Sequence, residues 1–546
     1  MEATPESQLP ASQRVPSRGT ALVRSALAWA FPLAIGLVLR LWMLKDLFQV
    51  NGDSLIYGGI AKNLLLHGRY AFSGSNGDFT PTLIRLPGYP FLLALCFQLF
   101  GMENYYSAAL LQIALELLGC LLLAEFAGRI APAALATRAR HATLWLAALC
   151  PFTASYAAAP LAETPTLFAL ALALWAAARF HDSPGWTNAL WFTFAVTFAA
   201  MLRPDGALVA VALAPALVLS LRRATPPTPI PTQRLIRMTL ACFLLALAPF
   251  AAWTARNWHT FHVFEPLAPR LANDPGEDTY PGWESWTKSW CLDFVSTYDI
   301  YWAVPDQPLD VNKLPSRAFD SPAQYADTTA IAADYNSSGY NLTPDIDARF
   351  ARLAQQRIAA HPVRYYLWLP LGRVADMVLR PRVENLDIDL DWWVYSHHHK
   401  ETRFSWFYAS LNALYLVLAA FALWLRPRFW KAMLAYIVMR SALLLTVEAP
   451  EARYTLEFFP ILFALGGIAV SRLMTKSNFG CPRSPYQGTA SQLAEELVPA
   501  KGTGFRGCGK RARFDSGARW NFAGAKRGCG KTRERSGNWR GVGFRG

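Results

Sequence analysis

Ten apolar runs, separated by polar or basic stretches, constrain this chain more than any other feature of it. They lie near residues 25–44, 104–128, 142–154, 164–180, 189–202, 206–221, 236–254, 404–425, 431–447 and 456–473. A helix needs about 20 mostly apolar residues to cross a bilayer, and several of these runs reach that length unaided. The expected fold class is an α-helical polytopic membrane protein with about 10 transmembrane helices. Composition agrees: 53% of residues are hydrophobic, 16% are charged, and 20 are tryptophan. A soluble multidomain enzyme is excluded on that balance.

Basic residues set the orientation, because cytoplasmic loops carry the excess of Lys and Arg. Arg14, Arg18 and Arg24, then Arg129, Arg138 and Arg140, then Arg222, Arg223, Arg234 and Arg237, then Arg426, Arg428 and Lys431 all alternate to one side. Asp53, Glu163, Glu448, Glu451 and most of 256–402 alternate to the other. Both termini are expected in the cytoplasm of a plasma (inner) membrane protein, with the acidic loops outside. The polar leader 1–20 precedes a run as long as a full span with no small-residue cleavage site after it, which predicts an anchor.

The net charge of +14 is local. Residues 475–546 hold 15 Lys and Arg against 4 Asp and Glu, so the rest of the chain contributes only +3. No nucleic-acid partner is expected of the body. The tail is Gly/Arg/Lys-rich and repeats RGCGK at 506–510 and 527–531, a composition that buries no core and predicts disorder. Its AKRGCGKT at 525–532 resembles a phosphate loop but lacks the strand and helix such a loop needs. Of eight cysteines, Cys96, Cys120, Cys150 and Cys242 sit in apolar runs, and Cys291 is alone in the largest polar loop. No disulfide within that loop and no zinc spacing follow.

Residues 51–90, NGDSLIYGGIAKNLLLHGRYAFSGSNGDFTPTLIRLPGYP, are too polar and turn-rich to span. Leu55, Ile56, Ile60 and Leu64 recur at helical spacing up to Gly68, which predicts a short amphipathic helix on the membrane surface with Asp53 at its start. A loop carrying Arg85 follows, then a second short helix opened by Pro87, Gly88 and Pro90. An ionised carboxylate there can serve as general base where lipid and aqueous acceptor meet. The bland alternative is that Asp53 caps its helix.

Glu163, in APLAETPTLF, lies between two runs on the same outer side, where helix capping is again the competing role. Arg85, Arg203 (LRPDG), Arg256 (TARNW) and Arg453 (EARY) fall at outer edges, against the positive-inside bias. Singly each could snorkel to headgroups; together they point to binding of a phosphate or pyrophosphate. Apart from Arg40, Glu116 and Glu125, the charges are expected at membrane edges. His397–His399 with Asp387, Asp389 and Asp391 offer metal-ligating groups without defined spacing, and a solvated loop is the preferred reading. Asn336-Ser-Ser and Asn341-Leu-Thr are glycosylation sequons only in a eukaryotic secretory pathway.

The outer loop 256–402 is too long for a simple connection. Its Trp283, Trp286, Trp290, Tyr298, Tyr301 and Trp302 predict a packed subdomain. Residues 345–360 read as a helix and 361–382 as an interfacial one. The expected organisation is a leader 1–20, a transmembrane core 21–255 with its first outer loop 45–103, the subdomain 256–402, C-terminal helices 403–474 and the tail 475–546.

GDSLIYGGIAKNLLLHGRY followed by PTLIRLPGYPFLLALCFQLFG resembles the first outer loop of GT-C glycosyltransferases, of the dolichyl-phosphate-mannose protein mannosyltransferase and lipid A aminoarabinose transferase type. The resemblance implies a GT-C-like helical bundle with interfacial helices and a large outer loop. It implies Asp53 as catalytic base with Glu163 as the second acid. Arg85, with Arg256 or Arg453, would bind the donor phosphate, and Tyr57, Arg203 and Tyr454 would support them. Asp53-Ser54 departs from the Asp-Glu pair of protein mannosyltransferases, and the Arg found a turn later in aminoarabinose transferases is absent.

The implied activity is inverting transfer of a sugar from a polyprenyl-phosphate donor to a glycan, lipid or protein acceptor at the outer face of the cell envelope, with no cofactor required. Two other readings stay open. A transporter or flippase of a lipid-linked glycan would keep charges at the bilayer midplane. A polysaccharide ligase or polymerase would rely on loop residues such as His361 and His397–His399.

Overall fold

The apolar runs fold as helices whose ends fall where the sequence supplies glycine, proline or charge. The computed structural model describes residues 18–74, 76–223, 232–394 and 398–477. Most of the leader, the tail with its expected disorder, and His397 lie outside the described residues.

The first helix, α1 (Arg18–Leu47), leads into α2 (Asp53–His67), a two-stranded hairpin and α3 (Gly88–Phe100). The hairpin pairs β1 (Ala71–Ser73) with β2 (Phe79–Pro81), Ala71 opposite Pro81. Gly88 opens α3 where an added Cβ would lie 2.6 Å from the Met201 carbonyl oxygen, so this helix start requires glycine. Both short helices keep exposed apolar faces, Leu55 and Leu66 on α2 and Phe91, Leu95 and Leu99 on α3. Such faces suit the membrane interface.

Next come α4 (Tyr105–Ile130), α5 (Ala136–Ala148), α6 (Pro151–Ala157), α7 (Glu163–Asp182), α8 (Trp186–Leu202), α9 (Leu208–Arg223) and α10 (Thr232–Phe261). Alanine decides the centre. Ala169, Ala171, Ala173, Ala176, Ala177 and Ala178 are all buried, which lets α4 and α8 close against α7.

The expected span 142–154 is not one helix. Proline lacks the N–H that would continue the ladder, so α5 stops before Pro151 and α6 begins there. Arg40 of α1 takes up two carbonyls left at that break, those of Ala148 at 2.7 Å and Ala147 at 3.4 Å. The same guanidinium is bidentate to Glu116 of α4, at 2.7 and 2.8 Å.

The outer loop is helical: α11 (Pro281–Lys288), a single turn α12 (Phe294–Ser296), α13 (Pro322–Ser337), α14 (Pro344–Ala360) and α15 (Leu369–Leu379). Trp283, Trp286, Trp290, Tyr335 and Phe350 form its core. The Asp347 carboxylate accepts the Gly282 and Trp283 N–H groups at 3.0 and 2.8 Å and so ties α14 to the start of α11. Tyr366, Leu367 and Trp368 stay exposed just before α15, as an interfacial segment should. The loop begins later than expected, because α10 runs to Phe261 and holds Arg256 and Asn257 within the helix.

The C-terminal helices are α16 (His399–Trp424), α17 (Trp430–Leu444) and α18 (Phe459–Ser477). Five stretches are long and apolar enough to cross a membrane by length and composition: Ala26–Leu47, Tyr105–Ile130, Gln233–Phe261, His399–Trp424 and Ala452–Thr475. The molecule is an α-helical membrane protein. Arg440 corrects the expectation that charges keep to the edges, since it lies inside the run of α17 and is fully buried.

Candidate active site

Asp53 is the first residue of α2, and its carboxylate does not cap that helix. Gly52 occupies the cap position at φ 49°, a backbone conformation glycine adopts readily, and no side chain closes the helix end. The carboxylate instead reaches across the fold. Its Oδ1 accepts from Arg85 Nη2 at 2.8 Å and its Oδ2 from Arg453 Nη1 at 2.9 Å.

Three elements supply these groups. Arg85 stands in the turn before α3, where its carbonyl accepts the Tyr70 hydroxyl at 3.0 Å. Tyr57, one turn beyond Asp53, lies under its guanidinium at 5.9 Å and meets Tyr89 edge to face. Arg453 sits in the turn Ala452–Phe458 that leads into α18.

From Arg453 the charges continue inward. Its Nη1 is 3.7 Å from Glu163 Oε1, and its Nε pairs with Glu451. Glu163, the buried first residue of α7, also takes Arg203 Nη1 at 3.2 Å. Arg203 Nε lies 3.3 Å from Asp205 and 3.2 Å from Glu457. Arg440 closes the chain on the same two acids, at 2.7 Å to Asp205 and 2.6 Å to Glu457, and donates to the Tyr454 carbonyl. The Tyr454 ring is stacked near both Arg203 and Arg453, at 5.8 and 5.7 Å.

The cluster joins five carboxylates, Asp53, Glu163, Asp205, Glu451 and Glu457, to four guanidinium groups, Arg85, Arg203, Arg440 and Arg453. Fully ionised, it carries one surplus negative charge. Burial alone would raise the Asp53 carboxyl, but Arg453 and Arg85 outweigh it and hold the group down at about 2. Glu451 goes the other way: its burial dominates over Arg453, and its carboxyl titrates above the ordinary range.

Arg256 stands apart from this cluster. It donates to the carbonyls of Tyr70 and Thr82, each at 2.7 Å, and lies 5.2–5.3 Å from the rings of Tyr70, Trp253 and Phe261. Its fixed work is to pin the hairpin to α10. It also lines an open, largely apolar cavity of about 1030 Å³ whose walls include Phe91, Leu95, Phe198 and Trp253. Pro87 and Gly88, just past Arg85, line the same cavity, as does Tyr70.

Thus Asp53, Arg85, Glu163, Arg203, Arg453 and Tyr454 lie together, with Tyr57 alongside, and Arg256 does not join them. Sequence reasoning missed Asp205, Glu451, Glu457 and Arg440 as members. Arg440 carried a readable signal, an arginine within an apolar run. As for a metal, His398 faces Asp389 through Nδ1 at 3.4 Å and Asp391 through Nε2 at 3.1 Å. One ligand atom from each of Asp389, Asp391 and His398 lies within 4.8 Å of the others, the two acids exposed and the histidine half-buried.

Residues 85–253 match the family described as dolichyl-phosphate-mannose-protein mannosyltransferase. The matched segment holds Arg85, Glu163, Arg203 and Asp205. The resemblance to dolichyl-phosphate-mannose protein mannosyltransferases is borne out over this segment, which begins at Arg85 and leaves out Asp53. The comparison with curated proteins returned no match. Among solved structures, an oligosaccharyltransferase of Archaeoglobus fulgidus tethered with an acceptor peptide is 11% identical, with a TM-score of 0.44, over 82% of this chain and 50% of that one. This chain thus spans about half its length. ArnT from Cupriavidus metallidurans in the apo state is 15% identical, with a TM-score of 0.32, over 83% of this chain and 78% of that one. The same protein bound to undecaprenyl phosphate is 14% identical, with a TM-score of 0.34, over 85% and 80%.

Proposed function

We propose that this protein is an integral membrane glycosyltransferase that moves a sugar from a polyprenyl-phosphate donor to an acceptor hydroxyl on the extracytoplasmic face, with inversion. The observation that carries the reading is the sharing of one carboxylate, Asp53, between two arginines, one of which, Arg85, lies two residues before the Pro87 wall of an apolar cavity. The cavity takes the first part of the lipid chain. Arg85 and Arg453 bind the phosphate to which it is attached.

Donor binding and base release are then one event. Each guanidinium that turns to the phosphate lets go of one Asp53 oxygen. The freed carboxylate takes the proton of the acceptor hydroxyl as its oxygen attacks the anomeric carbon. The bond from that carbon to the phosphate oxygen breaks, and the lipid phosphate leaves with the electron pair. Its growing charge stays with Arg85 and Arg453, held in place beforehand, which is where such sites find most of their acceleration. Glu163 and Glu451 act as positioning residues through Arg453. Arg256 holds the hairpin. A leaving group with a single phosphate asks for no metal in this scheme, and no further cofactor is invoked.

The protein would sit in the plasma (inner) membrane with both termini in the cytoplasm, and the acceptor would be a glycan, a lipid or a protein of the envelope. A transporter reading needs mobile charge at mid-membrane, whereas Arg40 and Glu116 are closed on each other and on the break between α5 and α6. The test is mass spectrometry of envelope glycans from cells with and without the protein. One glycan lacking a single sugar, with polyprenyl-phosphate sugar accumulating, is the expected result. Identical glycans in both cells would overturn the reading, and relocation of an unaltered glycolipid would favour transport.

A further inference from the structure

The outer-loop subdomain carries a second cavity of different character, a groove of about 660 Å³ between the segment around α12 and the end of α15. Its size falls within the range of about 300–1,000 Å³ typical of small-molecule sites. Trp392 and Trp393 form one wall, nearly perpendicular to each other at 83°, and Trp393 is 49% exposed. A large aromatic surface left open to water has a cost that a ligand stacked on it removes.

The polar lining is balanced in charge. Arg317 is paired with Asp293, and Arg380 with Asp376 at 3.1 Å. Asp299 and Lys313 complete the set, the lysine being the cation that Asp299 feels. Three acids and three bases leave no net field to draw in a phosphate or a uronic acid. The polar atoms that face the groove therefore belong to charged side chains already in pairs, which offer hydrogen bonds without net charge. Open tryptophan surface and paired charges are what a hydroxyl-rich, uncharged ring recognises. An acyl chain suits the other, apolar cavity instead.

We propose that this groove binds a neutral saccharide, the glycan portion of the acceptor. Its role as acceptor dock rests on the glycosyltransferase reading; its saccharide binding does not. The stem of the glycan would lie on Trp393, with its hydroxyls among Asp299, Lys313 and the Asp376–Arg380 pair.

The test is saturation-transfer-difference NMR on the full chain in lipid nanodiscs. The neutral probes are maltotetraose and chitotetraose, and the acidic control is trigalacturonic acid. Saturation transfer to a neutral probe is expected, with binding weakened about tenfold in Trp393→Ala and less in Asp299→Asn. It should persist undiminished in Asp53→Asn. No transfer to either neutral probe, equal binding in Trp393→Ala, or preference for the acidic control would overturn the proposal. Because Trp393 is half exposed, its replacement leaves the fold intact. Failure here would leave the sugar-transfer reading standing, and loss of that reading would leave probe binding unchanged.

Discussion

Asp53 and Arg85 meet at 2.8 Å across 32 residues of sequence, and the second oxygen of that carboxylate is held by Arg453 at 2.9 Å. A carboxylate clamped in this way is a poor base, and the clamp is made of the groups that a lipid phosphate would take. The chemistry proposed above follows from that competition, and so do several measurable consequences.

Arg85→Ala and Arg453→Ala each remove one donor from the developing phosphate charge. Loss of a preorganised donor of this kind costs about 10²–10³ in turnover. Arg256→Ala should behave differently, with a smaller loss of turnover and a lower melting temperature, because the Tyr70 and Thr82 carbonyls lose their partner. Steady-state kinetics beside thermal unfolding separates the two patterns.

Acidity should favour donor binding. The ionised cluster already has one surplus negative charge, and the donor phosphodiester brings another. Glu451, whose buried carboxyl titrates above the ordinary range, is the group placed to take up a proton. Once neutral, it leaves Arg453 to the phosphate, while Asp53, held at about 2, stays ionised. The donor KM should therefore fall as pH drops through the raised Glu451 titration, and Glu451→Gln should flatten the dependence. For stability the sign is opposite for the two acids. The Asp53 contribution is present above its unfolded value and is lost as pH falls toward 2. That of Glu451 disfavours the fold above its raised value and is relieved as pH falls.

Arg40 and Glu116 test the structural role against a transport role. Removing either partner strands a charge in the bundle, at a cost of about 3–5 kcal/mol, whereas replacing both with leucine should cost less, about 1–3 kcal/mol, for the donor lost by the Ala147 and Ala148 carbonyls. Thermal unfolding of Arg40→Leu, Glu116→Leu and the double variant checks this. Sugar transfer should survive in the double variant.

The apolar cavity is open to a length test. Ala252 lines it, and Ala252→Trp should raise the KM of a long-chain polyprenyl donor while leaving a short, water-soluble analogue nearly unaffected. Equal effects on both donors would place the lipid elsewhere.

Helix positions were legible because apolar runs and the Pro87-Gly88 step report local structure directly. The site was legible in part, since arginines at outer edges stand out against the charge bias. The ligation of Asp53 was not, because Arg453 lies 400 residues away and only the folded chain brings them together. The hairpin around 71–81 was overlooked although Gly74, Asn76 and Gly77 mark a turn between short β-forming stretches. Arg256 misled for a physical reason: an arginine at a membrane edge serves backbone carbonyls and aromatic rings as readily as it serves phosphate.

The most direct measurement compares donor binding and sugar transfer in Asp53→Asn. This replacement takes the cluster from one surplus negative charge to balance, so the protein should remain folded. Transfer should fall by about 10²–10⁴, the range of a lost general base, while the donor binds as tightly as before or more so, its two arginines now released. Undiminished transfer in a folded Asp53→Asn protein would contradict the account.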